Sequence, residues 1–154
     1  MSRTALLTAA IAILLSPAPK ATGQEMPEFK LTGSMATSSV KPGGAARGEI
    51  TVEIPEGWHF YAPGVEKYKK LDIKATEGPL EGVKFTYPQG EMATLVDEKV
   101  PVYQGKVTVK FEGKAASAKP GAVVFRPVIS WQACSANICL PPESREVEIK
   151  FTVR

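Results

Sequence analysis

GEITVEIPEG, residues 48–57, alternates apolar Ile50, Val52 and Ile54 with polar Thr51 and Glu53, then stops at a Pro-Glu-Gly turn. Side chains along an extended chain point to opposite faces with a period of two, so this stretch is a strand with one buried face and one wet face. The same period recurs in Leu71, Ile73 and Ala75, in Val83, Phe85 and Tyr87, in Val107, Val109 and Phe111, and in Val147, Ile149, Phe151 and Val153. Turn-forming runs separate the strands: KPGG at 41–44, PQG at 88–90 and AKPGA at 118–122. No segment reads as a helix. Seven or eight short strands punctuated in this way predict an all-β chain folded as an antiparallel β-sandwich, without an internal repeat or a dividing linker.

Two segments depart from the period. In GEMATLVDEKVP, residues 90–101, neither a strand nor a helix repeat survives, which predicts an ordered irregular loop of functional length. Apolar Met92, Leu95 and Val96 within it suggest a loop that lies down on the protein. In AVVFRPVISWQAC, residues 122–134, Pro127 interrupts a continuous apolar strand. Proline cannot donate to a ladder, so an edge position or a bulge is expected there.

The N-terminus carries one basic residue, Arg3, then an apolar run over 5–15, then SPAPKATGQ. These are the three parts of a secretory leader, with cleavage expected before Gln24; the apolar run is too short to span a bilayer. Residues 1–23 are therefore read as a signal peptide and 24–154 as one domain, with no membrane insertion after leader removal. The whole chain has 19 basic and 16 acidic side chains. Taking away Arg3 and Lys20 with the leader leaves 17 basic against 16 acidic. A nearly neutral domain gives no argument for nucleic acid or an anionic membrane as partner.

The two cysteines stand in ACSANICLPP, residues 133–142. An exported chain meets an oxidising compartment, so Cys134 and Cys139 are expected to be able to form a disulfide. Closing so short a loop stabilises by about 2 kcal/mol, against roughly 4 for a loop of sixty residues, which makes a weak staple. Redox exchange fits this spacing better than stapling, and both readings stay open. Thioredoxin chemistry needs C-x-x-C at a helix N-terminus, whereas here the spacing is longer and Pro141 and Pro142 force an extended exit. A soft Cu(I) site built from the cysteines, His59 and methionine is a further reading. No second histidine supports it, and His59 in GWHFYAP is read as an ordinary strand or turn histidine. The sequence contains no hydrolase nucleophile elbow and no glycine-rich phosphate loop.

ISWQACSANICLPPES, together with IPEGWHFYAPG, FTYPQGE and VYQGKVTVKF, resembles the N-terminal periplasmic domain of the thiol:disulfide interchange protein DsbD, in order through most of residues 45–153. The resemblance implies an immunoglobulin-like antiparallel β-sandwich whose cofactor is none but its own redox-active disulfide, Cys134–Cys139. Cys139 would be the thiol that forms mixed disulfides and Cys134 the one that resolves them. Thioredoxin-like periplasmic proteins would be the partners, one recharging the pair and others, such as a disulfide isomerase or a cytochrome c maturation thioredoxin, being reduced by it. The resemblance further implies a cap over the cysteines, falling within residues 92–100, with Met92, Leu95, Val96, Asp97 and Glu98 as its candidates. Asp97 and Glu98 would oppose thiolate formation by like-charge repulsion.

Two departures stand out. Four residues separate the cysteines where the best-known member has five, and no aromatic lies on the cap. The sequence ends directly after its last strand, so the expectation is a stand-alone periplasmic monomer that takes electrons from a separate, membrane-held donor. Phe60, Tyr61 and Trp131 are candidates for the wall of the site, with a place in the core as the competing reading. The expected function is a thiol–disulfide relay without a bound metal. Its rivals are a non-catalytic interaction or copper-handling module and a sandwich with a permanent structural disulfide.

Overall fold

The computed structural model describes residues 26–116 and 119–154; the expected leader lies outside the described residues. Along the chain the strands are β1 Lys30–Met35, β2 Ser39–Val40, β3 Ala45–Ile54, β4 His59–Tyr61, β5 Asp72–Lys74, β6 Leu80–Thr86 and β7 Glu91–Leu95. They continue as β8 Glu98–Tyr103, β9 Gly105–Ala115, β10 Gly121–Phe125, β11 Val128–Trp131, β12 Ala133–Cys134, β13 Glu143–Glu146 and β14 Ile149–Val153. No helix occurs among the described residues. A four-stranded sheet, β1-β3-β9-β6, forms one layer. Three smaller sheets, β10-β14-β2, β13-β11-β5 and β12-β4-β8-β7, make up the rest. Pairing is antiparallel apart from the two-residue contact of β14 with β2, and the fold is an immunoglobulin-like β-sandwich.

The alternation read from the sequence is what fills the core. Ile50, Val52 and Ile54 of β3 and Val107, Val109 and Phe111 of β9 are buried, as are Ile149, Phe151 and Val153 of β14. They join Phe60, Phe125, Ile129 and Trp131 in one contiguous cluster. At its centre Phe60 stacks on Trp131 with ring centroids 5.5 Å apart, and Phe29 packs against both at 5.2 and 6.0 Å. Truncating an aromatic in such a place costs about 3–5 kcal/mol, more than any surface ion pair here supplies.

Two expectations are corrected. Residues 90–101 are not an irregular loop: β7 and β8 pair from Glu91↔Val102 to Leu95↔Glu98 as a hairpin. Val96 and Asp97 close it with φ of 47° and 68°, the two left-handed residues of a tight two-residue hairpin turn. Asn-Gly is the usual signature of that turn, and Val-Asp hides it. Pro127, in turn, marks neither an edge nor a bulge. It is fully buried where the chain leaves the β10 sheet and enters the β11 sheet, and its carbonyl accepts from the Val147 N–H at 3.2 Å. Its missing N–H suits the one place where neither ladder needs a donor.

Gly48 of β3 tests the packing of the large sheet. A Cβ there would sit 2.3 Å from the Ser34 carbonyl oxygen and 2.4 Å from the Phe111 ring. Because the first neighbour is backbone, no rotamer change relieves the clash. We expect Gly48→Val to destabilise the domain by about 1–3 kcal/mol in urea unfolding, and an unchanged midpoint would contradict the packing described.

Candidate functional site

The site is built on the sheet β12-β4-β8-β7, and its register decides which side chains meet. Cys134 is paired with His59 and Ala133 with Phe60 across β12 and β4. Phe60 is paired with Tyr103 and Tyr61 with Val102 across β4 and β8. Residues directly opposite one another share a face, so the sheet is sorted into two sets. Phe60, Ala133 and Tyr103 enter the main core. Tyr61, Val100, Val102 and Cys134 form a second cluster with Val65, against which Tyr68, Ala93 and Leu95 pack.

Cys134 and Cys139 are joined by a disulfide with Cα atoms 4.0 Å apart. They face each other across a tight turn. The Ser135 N–H donates to the Ile138 carbonyl at 2.7 Å and the Leu140 N–H to the Ala133 carbonyl at 2.8 Å. Ser135 Oγ accepts from the N–H groups of Asn137 and Ile138, both at 3.2 Å, and the Gln132 side-chain amide donates to the Leu140 carbonyl at 3.1 Å. Buried Leu140 anchors the exit and leads into the two prolines. The turn leaves the two cysteines unequal: Cys134 is 1% exposed, whereas Cys139 and its neighbour Ile138 are exposed.

The other residues singled out in the sequence fall in different places. Leu95 and Glu98 are paired on the face that carries Cys134. Met92 belongs to the opposite face of the hairpin and is 64% exposed; Val96 at the tip is 97% exposed, with Asp97 beside it in the turn. Glu98 accepts from Lys67 Nζ at 3.4 Å. Phe60 and Trp131 stack behind the sheet, within the main core, and the Arg145 guanidinium lies over the Trp131 ring at 5.2 Å. Tyr61 alone of the three aromatics shares the face of Cys134, stacked on Tyr68 with centroids 4.3 Å apart and planes 8° from parallel.

Sequence reasoning missed the segment 62–70, whose Val65 and Tyr68 complete the apolar cover; too short for any period, it offered two isolated apolar residues as its only signal. It also passed over His59. The alternation in HFY would have placed His59 with Tyr61, and the structure puts both on the face of Cys134, their rings edge-to-face at 5.5 Å. His59 is 5% exposed, and burial lowers its pKa below the ordinary imidazole range. Burial also raises the Tyr61 phenol, with smaller contributions from Tyr68 and Glu98 that Lys67 offsets. The two polar rings nearest Cys134 on this face are thus neutral at neutral pH, with the Lys67–Glu98 ion pair at its rim. Among the described residues no group of three or more His, Cys, Asp and Glu side chains is arranged to hold a metal ion. Nor is any described helix long and apolar enough to cross a membrane.

A β-sandwich whose edge carries a short disulfide hairpin, one cysteine exposed and one buried, defines a thiol–disulfide exchange domain. Residues 28–150 match the family described as "Thiol:disulfide interchange protein DsbD, N-terminal", and the chain belongs to that family. Among solved structures it is similar to the N-terminal periplasmic domain of ScsB from Proteus mirabilis, at 13% identity and a TM-score of 0.58. That alignment covers 80% of this chain and 46% of the other, so this chain spans about half the length of that relative. It is similar also to the reduced DsbD N-terminal domain of Neisseria meningitidis, at 17% identity and a TM-score of 0.50, covering 80% and 90% of the two chains. Comparison with curated proteins returned no match.

Two outcomes follow from this geometry. In the reduced protein, brief alkylation with iodoacetamide should mark Cys139 about tenfold or more ahead of Cys134, since thiol reactivity needs access; equal labelling by peptide mapping would contradict the burial difference. The chain's sole histidine also sets a pH response. His59 titrates lower folded than unfolded, so the unfolded chain takes up its proton first as the pH falls through about 6.5. The stability contributed is full above that pH and is lost on going down toward the depressed folded value. The melting temperature should therefore fall between pH 7.5 and 5.5 by more in the wild type than in His59→Phe.

Proposed function

We propose that the domain relays electrons in the periplasm by thiol–disulfide exchange, Cys134 and Cys139 cycling between disulfide and dithiol. A partner thiolate attacks the Cys139 sulfur and forms a mixed disulfide, and the Cys134 sulfur leaves with the electron pair of the broken bond. A second thiol of the partner then attacks its own sulfur in the mixed disulfide and frees Cys139 as thiolate. The pair is reduced and the partner oxidised by two electrons. In the opposite direction Cys139 attacks an acceptor disulfide and Cys134 resolves the adduct.

The observation that carries this reading is the difference in exposure between the two cysteines. A staple gains nothing from presenting one sulfur to solvent, and a bridge across four intervening residues restrains the unfolded chain by only about 2 kcal/mol. An exposed Cys139 gives an incoming thiolate a single point of attack, and the shielded Cys134 becomes the internal leaving group. Cys134 packs in an apolar cluster and Lys67 at its rim is paired with Glu98, so the activated thiol is supplied by the partner, as thioredoxin-like proteins do. Exposed Ile138 beside Cys139 supplies apolar contact for such a partner. Membership of the DsbD N-terminal family supports the same chemistry. The leader-like N-terminus supports a periplasmic location, and the near-neutral domain a protein partner rather than nucleic acid.

The test is direct. The oxidised protein is incubated with a reduced thioredoxin-like protein that keeps only its attacking cysteine. The expected result is a covalent adduct through Cys139, seen on non-reducing gels and absent in Cys139→Ala. A disulfide that survives both this partner and glutathione buffers in its reducing range would sink the relay and favour a structural bridge. Retention of one equivalent of Cu(I) by the reduced protein, lost in either cysteine variant, with no adduct, would favour metal handling instead.

A further inference from the structure

The face of the sheet that carries Cys134 also carries a buried polar atom without a partner. Among the described residues, His59 Nε2 makes no hydrogen bond, although His59 is 5% exposed and its Nε2 is shut off from solvent. An orphaned buried polar group costs about 1–3 kcal/mol, so its persistence asks for a reason. The register supplies one. His59 stands directly opposite Cys134 on the neighbouring antiparallel strand, where facing Cβ atoms are about 4.5–5.5 Å apart on the same side of the sheet. In the disulfide the Cys134 sulfur has no proton to exchange, and the imidazole has nothing to bind. In the dithiol the same sulfur carries a proton.

Resting on the exchange reading above, we propose that His59 Nε2 is the proton acceptor of the Cys134 thiol in the step that resolves a mixed disulfide. The Cys134 S–H proton passes to Nε2, and the thiolate so formed attacks the Cys139 sulfur. The Cys134–Cys139 bond forms as the bond from Cys139 to the partner breaks. The partner leaves as thiolate and takes up the proton that the imidazolium releases, so that no proton is gained or lost overall. In the reverse direction the thiolate of Cys134, expelled into an apolar cluster, recovers its proton by the same route. The role needs the Nδ1–H tautomer, which leaves the lone pair on Nε2.

The groups around the imidazole leave it free for this. Tyr61 of its own strand meets it edge-on and stays neutral. Cys134 faces it from β12. Tyr68 of segment 62–70 stacks on Tyr61, Lys67 lies over Tyr68, Lys70 bridges the Tyr61 backbone, and Glu98 and Glu91 stand on the hairpin β7–β8. Burial lowers the His59 pKa. A neutral base held in an apolar wall is available at pH 7, where an imidazolium would not be.

The experiment reads the resolving step separately from the first attack. Reduced protein is mixed in stopped flow with one equivalent of 5,5′-dithiobis(2-nitrobenzoate) across the pH range. Exposed Cys139 expels the first thionitrobenzoate, and Cys134 expels the second from the adduct. In His59→Phe and in His59→Gln the second release should slow by about a factor of ten or more at pH 7, with its pH midpoint moved up toward that of an ordinary thiol. The first release should keep its rate, which a merely structural role for His59 would not predict. Either variant suffices if its circular dichroism matches the wild type. An unchanged second rate and unchanged pH profile in a folded variant would overturn the proposal. A wild type that never releases the second equivalent at any pH overturns the exchange reading itself, and the role of His59 with it.

Discussion

The stack of Phe60 on Trp131 sets the register on which the rest of the site depends. Phe60 must enter the core, and the period of a strand then forces its neighbours His59 and Tyr61 to the other side. Ala133, opposite Phe60, is forced inward by the pairing, and Cys134 outward with it. A slip of one residue would drive a sulfur into the core and two large rings out of it. The energy that keeps Cys134 beside His59 and Tyr61 is thus spent several ångströms away, in packing that touches neither sulfur.

The cover of Cys134 is held by the same kind of force. The Lys67–Glu98 pair that joins segment 62–70 to the hairpin is more than half exposed on both sides, and such pairs contribute roughly 0–1 kcal/mol. Burying side chains such as Val65 and Val102 contributes about 1.5–3 kcal/mol each. Apolar contact therefore closes this face, and the ion pair at its rim fixes alignment more than stability. Val96 at the hairpin tip gains nothing from that contact and holds a β-branched side chain in the left-handed region, a conformation that costs energy unless the turn demands it.

The strands with a clean contrast between faces, β3, β9 and β14, were legible from spacing alone, because each lies between core and solvent. The hairpin β7–β8 was not. Met92, Thr94 and Val96 alternate with Ala93 and Leu95 without a polar-apolar contrast, although only the second set is covered, and its turn lacks the glycine that usually announces such geometry. Pro127 misled for the opposite reason: its constraint was read as local, whereas it serves a crossing between two sheets. The cysteines were visible as a pair, but their inequality arises from strand pairing that no spacing rule contains. His59 was discounted as a single histidine, and only its opposition to Cys134 gives it a neighbour worth having.

The shortness of the Cys134–Cys139 loop also separates redox state from folding. In a thermodynamic cycle joining folded and unfolded, oxidised and reduced forms, the preference of the folded chain for its disulfide exceeds that of the unfolded peptide only by the stability the bridge adds. With four residues enclosed, the entropic part of that increment is small. Opening the bridge would leave the main core intact, because that cluster contains neither cysteine. A relay of the kind proposed would therefore be charged and discharged without passing through a state that a protease or a chaperone would recognise as unfolded.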